Sequence, residues 1–127
     1  MKILIAIFMV ILLASCGNNA SQQMNLYVPV HRATDDLQVY GGKYHGHLFD
    51  KGLTITCTVV NKSNTINYKD VRLEVLYYSK TNTLIARNDF VVYEYLNAGH
   101  LLKAKLNGSR YDGMSTLSVN VVGATPY

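Results

Sequence analysis

His45 and His47 stand one residue apart, with only Gly46 between them. On an extended chain alternate side chains share a face, so both imidazoles would point one way, as two ligands of a metal ion do. A third ligand would have to come from His31 or His100, and two neighbouring surface histidines need no metal to explain them. Asp35 and Asp36 offer the two carboxyls that acid–base chemistry uses. Sequence neighbours on a strand point apart, however, so the pair fits a solvated turn better. Lys103 and Lys105 share an outward face that could meet anionic lipid or glycan, or simply guard a strand against edge pairing. Cys57 as a nucleophile would need an exposed, electropositive setting, and its row of apolar neighbours argues against one. No serine elbow, His-Glu-x-x-His zinc pair, glycine-rich phosphate loop or calcium loop occurs. The residues predict no catalytic set, no metal and no cofactor.

The elements that must carry these residues read as strands. Leu53, Ile55, Cys57 and Val59 alternate with Thr54, Thr56 and Thr58, giving one apolar face and one threonine face. Val71, Leu73, Val75 and Tyr77 alternate with Arg72 and Glu74; Leu102, Ala104 and Leu106 alternate with Lys103 and Lys105. Leu117, Val119 and Val121 make the last strand. Residues 90–96 form another, with Phe90, Val92, Glu94 and Leu96 on one face and Val91, Tyr93 and Tyr95 on the other. A bulge near Tyr93 would let Leu96 and the tyrosines both reach the core. Residues 25–31 carry Leu26, Val28 and Val30 in alternation, and Pro29, which lacks an N–H, places that strand at an edge.

Residues 32–52 are less regular. Short strands are expected at 37–40 and 44–49, with a turn at Gly41 and Gly42 and another at 50–52. Further turns are expected at 61–64, 79–82 and Ala98–Gly99, strand character at 83–86, and a loop at 107–113. No stretch beyond residue 24 has helical periodicity. Short strands at regular spacing predict an all-β, antiparallel sandwich of about seven strands.

The 12 Lys and Arg are scattered among 8 Asp and Glu without a block of one sign, which is a solvated surface and not the footprint of a nucleic-acid binder. Ten tyrosines and no tryptophan suit half-buried strand positions and recognition surfaces, since tyrosine has an apolar body and a polar tip.

Met1 and Lys2 give a positive start, and residues 3–13 are an uninterrupted apolar run, shorter than the roughly 20 residues that span a bilayer. That is the layout of a secretory signal. Its end, Leu13-Ala14-Ser15-Cys16, resembles the bacterial lipobox. The resemblance implies cleavage between Ser15 and Cys16, diacylglycerol on the Cys16 thiol and an acyl chain such as palmitate on its new amine. Several chains on one residue hold a protein to the bilayer far more firmly than one does. Gly17 follows where the inner-membrane retention signal has aspartate, which points to an outer membrane facing the periplasm. The expected organisation is a signal peptide at 1–15, an acylated cysteine and flexible tether at 16–24, and a sandwich domain at 25–127. With Cys16 committed to lipid, Cys57 has no partner in the chain and is expected to be buried.

Three places resemble the FxLYD-type family of bacterial envelope domains. Residues 57–61 (CTVVN) stand where that family has Gly-x-Val-x-Asn, 75–79 (VLYYS) where it has Phe-x-Leu-Tyr-Asp, and 96–99 (LNAG) where it has Leu-x-Pro-Gly. Cysteine, valine, serine and alanine replace glycine, phenylalanine, aspartate and proline. The resemblance implies an Ig-like sandwich and brings no catalytic residues.

The expected function is a non-catalytic, membrane-anchored interaction module for another envelope protein or a glycan. The alternative is a structural assembly subunit or an immunity or exclusion lipoprotein. Aromatics concentrate at Tyr40, Tyr44, His45, His47 and Phe49, the candidate partner-binding residues, because aromatic loops on a rigid sandwich are suited to recognition. Replacing Cys16 with serine should abolish incorporation of a tagged fatty acid and release the protein from the membrane pellet. A Cys16→Ser protein that still labels and still pellets contradicts the lipobox reading.

Overall fold

The computed structural model describes residues 31–127. The apolar leader, Ser15, Cys16, the tether and residues 25–30 of the first expected strand lie outside the described residues. One helical turn, α1 (Ala33–Asp36), leads into six strands: β1 (Leu37–Gly46), β2 (Gly52–Asn61), β3 (Tyr68–Ser79), β4 (Leu84–Leu96), β5 (Leu101–Ser109) and β6 (Met114–Pro126). β2 lies between β1 and β5 in one antiparallel sheet, and β3 lies between β4 and β6 in the other. The sheets pack as a sandwich, with β1 beside β6 and β5 beside β4 at its flanks.

The two central strands build the core because their apolar residues recur with period two. Leu53, Ile55, Cys57 and Val59 of β2 face Val71, Leu73, Val75 and Tyr77 of β3, and all eight are buried. Each large apolar side chain so buried contributes roughly 1.5–3 kcal/mol relative to leaving it in water. Leu102, Ala104 and Leu106 complete the layer from β5 as expected. Gly108 is required by a close approach: a Cβ there would lie 2.6 Å from the Tyr77 hydroxyl and 2.9 Å from Ile55 Cδ1.

Several details of the strand plan are corrected. Residues 37–46 form one strand and not two, because Gly41 and Gly42 bulge together opposite Cys57 instead of turning the chain. Gly41 takes φ +65°, which glycine adopts without penalty. Residues 84–86, from the stretch expected at 83–86, and 90–96 likewise belong to one strand, β4, since nothing between them reverses the chain. β5 runs through Asn107 to Ser109, so the loop begins only at Arg110. The bulge near Tyr93 exists, with Tyr93 and Glu94 both opposite Asp70, but it buries Leu96 alone. Tyr93 and Tyr95 stay 79% and 70% exposed. The turn at α1 has no periodicity to announce it, being a single turn.

Asn61 closes the end of the sandwich where the chain enters. It is fully buried, the one buried polar residue among those described. Its Nδ2 donates to the carbonyls of Ile66 (2.8 Å) and Leu96 (3.2 Å), and its Oδ1 accepts the Ser63 N–H (3.0 Å). Its backbone donates to the His100 carbonyl and accepts the Gly99 N–H, each at 3.0 Å.

Cys57 is buried and unpaired, and burial pushes its thiol pKa up, so little thiolate is present at neutral pH. A thiol reagent should leave it untouched in the native protein and react at once in denaturant. Cys57→Ala should cost on the order of 1 kcal/mol of unfolding free energy. Rapid labelling of the native state would contradict the assigned face of β2.

Candidate functional site

The six candidate residues of the aromatic and lipid readings divide by place. Cys16 lies outside the described residues. Tyr40 and His45 are on the outward face of β1, opposite Thr58 and Thr54. Tyr40 donates to Gln38 Oε1, and Lys62 Nζ lies 5.8 Å from the centre of its ring. Tyr44 falls in phase with Ile55 and reaches across the flank, where its hydroxyl donates to the Ser115 carbonyl of β6 at 3.1 Å. It ties β1 to β6, a part in the fold that its sequence did not disclose.

His47 belongs to the loop of the β1–β2 hairpin. Its Nε2 lies 3.0 Å from Thr54 Oγ1, and its Nδ1 lies 3.2 Å from Asp50 Oδ1. The His47 N–H donates to the Gly52 carbonyl (3.1 Å), and Asp50 Oδ1 accepts the Gly52 N–H (2.7 Å). A loop so fixed carries Leu48 and Phe49 on its outside, 92% and 100% exposed. Phe49 was among the expected residues and Leu48 was not, although an adjacent apolar pair beside a polar turn was visible in the sequence. Arg110 joins this end, its N–H donating to the Lys51 carbonyl at 2.6 Å.

The two histidines do not converge with others on a metal position. Among the described residues no three His, Cys, Asp or Glu side chains come close enough to hold an ion. No helix among them is long and apolar enough to cross a membrane. No family model, curated protein or solved structure matches the chain. The resemblance of three stretches to FxLYD-type domains therefore rests on their spacing alone. Two of them do meet in space, since Asn61 holds the Leu96 carbonyl and the Gly99 N–H.

Asp35 and Asp36 separate, as expected, but only Asp35 is solvated: it accepts the Arg32 N–H at 3.2 Å and so caps α1. Asp36 is half-buried and corrects the expectation of a solvated pair. Its Oδ2 lies 2.6 Å from His31 Nε2 and accepts the Tyr68 hydroxyl at 2.6 Å. Burial, then the Asp36 carboxylate, pushes the Tyr68 hydroxyl up to about 12. Burial pulls the Asp36 carboxyl upward, but the hydrogen bonds from Tyr68 and His31 and the imidazolium charge outweigh it and leave the carboxyl below its usual range. The hydrogen bond to Asp36 raises His31 against a smaller opposing effect of burial.

The sign for stability follows from these shifts. The His31 contribution is complete below its unfolded value of 6.5 and is lost as pH rises through the raised folded value. The Asp36 contribution is complete above 3.8 and is lost as pH falls through the lowered folded value. Comparing thermal unfolding of the protein with its His31→Ala variant should show the wild type ahead at pH 5, with the gap closing above neutrality. A gap that is constant from pH 5 to pH 9 would contradict the His31–Asp36 pairing.

Proposed function

We propose that this protein is a non-catalytic interaction module, an Ig-like sandwich held to the bacterial outer membrane by acylated Cys16. It docks another envelope protein or a glycan. The observation that carries the reading is the hairpin tip: Leu48 and Phe49 stand 92% and 100% exposed on a loop that hydrogen bonds hold in one shape. A fixed loop presenting apolar groups loses little conformational entropy when a partner covers it.

The placement of α1 and of the β1–β2 hairpin supports the same reading. His31 and α1 lie at the end of the sandwich where β1 begins and β6 finishes, and the 47–51 hairpin lies at the opposite end. The point at which the preceding segment joins the domain is thus at the end remote from Leu48 and Phe49.

A photo-crosslinking side chain placed at position 49 in living cells should yield a discrete adduct that is lost in the Cys16→Ser protein. The same side chain at position 93, on the other sheet, should not yield it. Aromatic anchors carry about 2 kcal/mol or more of binding energy. Leu48→Ser with Phe49→Ser should therefore weaken capture about thirtyfold with an unchanged melting temperature. An adduct indifferent to both positions would send the search to another surface.

A further inference from the structure

The two sheets differ in charge. β1, β2 and β5 contain no Asp or Glu, whereas Asp70, Glu74, Asp89 and Glu94 all lie in β3 and β4. The register sets Lys43, Thr56 and Lys105 in one row across the first sheet and Tyr40, Thr58 and Lys103 in the next. These rows face outward, because Ile55, Cys57 and Val59 of the same strands face the core. The lysines are exposed and the threonines half-buried.

The bulge shapes what lies between them. Two residues, Gly41 and Gly42, stand opposite Cys57, so Tyr40 and Lys43 are both kept on the outward side. Gly41 adds no side chain of its own. The result is an open trough of about 430 Å³ whose lining includes Lys43, Thr56, Thr58, Lys103 and Lys105, with Gly41, Cys57 and Ala104 between them. Its floor is hydroxyl-bearing β2. Its two walls carry ammonium groups on backbones about 10 Å apart, twice the strand spacing.

We propose that this trough binds a linear anionic polysaccharide. Carboxylate or phosphate groups along the chain meet lysines on either wall, and sugar hydroxyls exchange hydrogen bonds with Thr56 and Thr58. A bilayer surface would touch the lysine tips and leave the half-buried hydroxyls unmet, whereas a single extended chain reaches both. Edge protection alone would need charge of either sign on an outer strand. Here both outer strands carry lysine and no acid opposes it. The inference rests on the interaction-module reading and names one class of partner for it, on a face apart from the hairpin tip.

The test uses the full-length protein in detergent micelles and immobilised polygalacturonate, with neutral dextran as the control. Binding to polygalacturonate alone is expected, weakening steadily as salt rises. Lys43→Gln, Lys103→Gln and Lys105→Gln together should weaken it at least about tenfold, since three charge contacts are lost. Thr56→Val with Thr58→Val leaves the charge unchanged and suits a strand, and should weaken binding about threefold through lost hydrogen bonds. Equal binding by the lysine variant, or no effect of the threonine changes, overturns the proposal. So does binding to vesicles of equal parts phosphatidylglycerol and phosphatidylcholine without binding to polygalacturonate. If polygalacturonate binding is absent while the position-49 adduct persists, the trough is rejected and the interaction-module reading stands. Loss of both rejects both.

Discussion

Asn61 is the polar group on which the rest of the sandwich depends. A buried amide left without partners costs several kcal/mol, so the chain around it has to be placed to satisfy it. Here the segment after β2 and the end of β4 bring backbone groups to its side chain, and the 97–100 turn before β5 bonds to its backbone. Those segments belong to both sheets. An apolar residue at 61 could fill the space, but it would leave the Ile66 and Leu96 carbonyls and the Ser63 N–H without these partners. Nearby, the Lys62 N–H donates to the Asp36 carbonyl (2.8 Å), and Tyr68 donates to the Asp36 carboxylate. The entry end is therefore closed by hydrogen bonds as well as by packing.

The far end is organised differently. The Tyr77 hydroxyl donates to Asn88 Oδ1 at 2.9 Å, and Tyr111 packs edge-on against Tyr77 with ring centres 4.8 Å apart. These contacts seal the core beneath the loops and leave the loops themselves outside it. Leu48 and Phe49 can then be exposed without opening the core. The outward face of β2 and β5 is free in the same sense, because its threonines and lysines alternate strictly with the residues that do the packing. Stability and display are carried by opposite faces of the same strands.

That separation also explains what the sequence disclosed. The period-two pattern is unbroken through β2, β5 and residues 71–77 of β3, so their inward residues could be read directly, Cys57 included. β1 and β4 were harder because each contains a bulge, at Gly41–Gly42 and at Tyr93–Glu94, that shifts the phase of the alternation. A phase shift looks like a strand break when no partner strand is visible. The role of Asn61 was hidden for another reason. As one of four turn-forming residues in a row it reads as solvated, and only the arrival of Leu96 and Gly99 from distant parts of the chain makes it buried. Tyr44 was hidden likewise, since its partner Ser115 is 71 residues away. Of the candidate site, Phe49 was legible as an aromatic beside a turn. The trough was not, because Lys43 joins Lys105 only through the register across β2.

Native-state hydrogen exchange on the full-length protein tests most directly whether Asn61 locks a rigid scaffold that displays mobile-free faces at its other end. The amides of Asn61, Ser63 and Gly99 should exchange as slowly as those of Val71 and Leu73, through opening of the whole domain. If they exchange faster than the core by orders of magnitude while β2 and β3 stay protected, Asn61 is a local turn contact and does not hold the two sheets together.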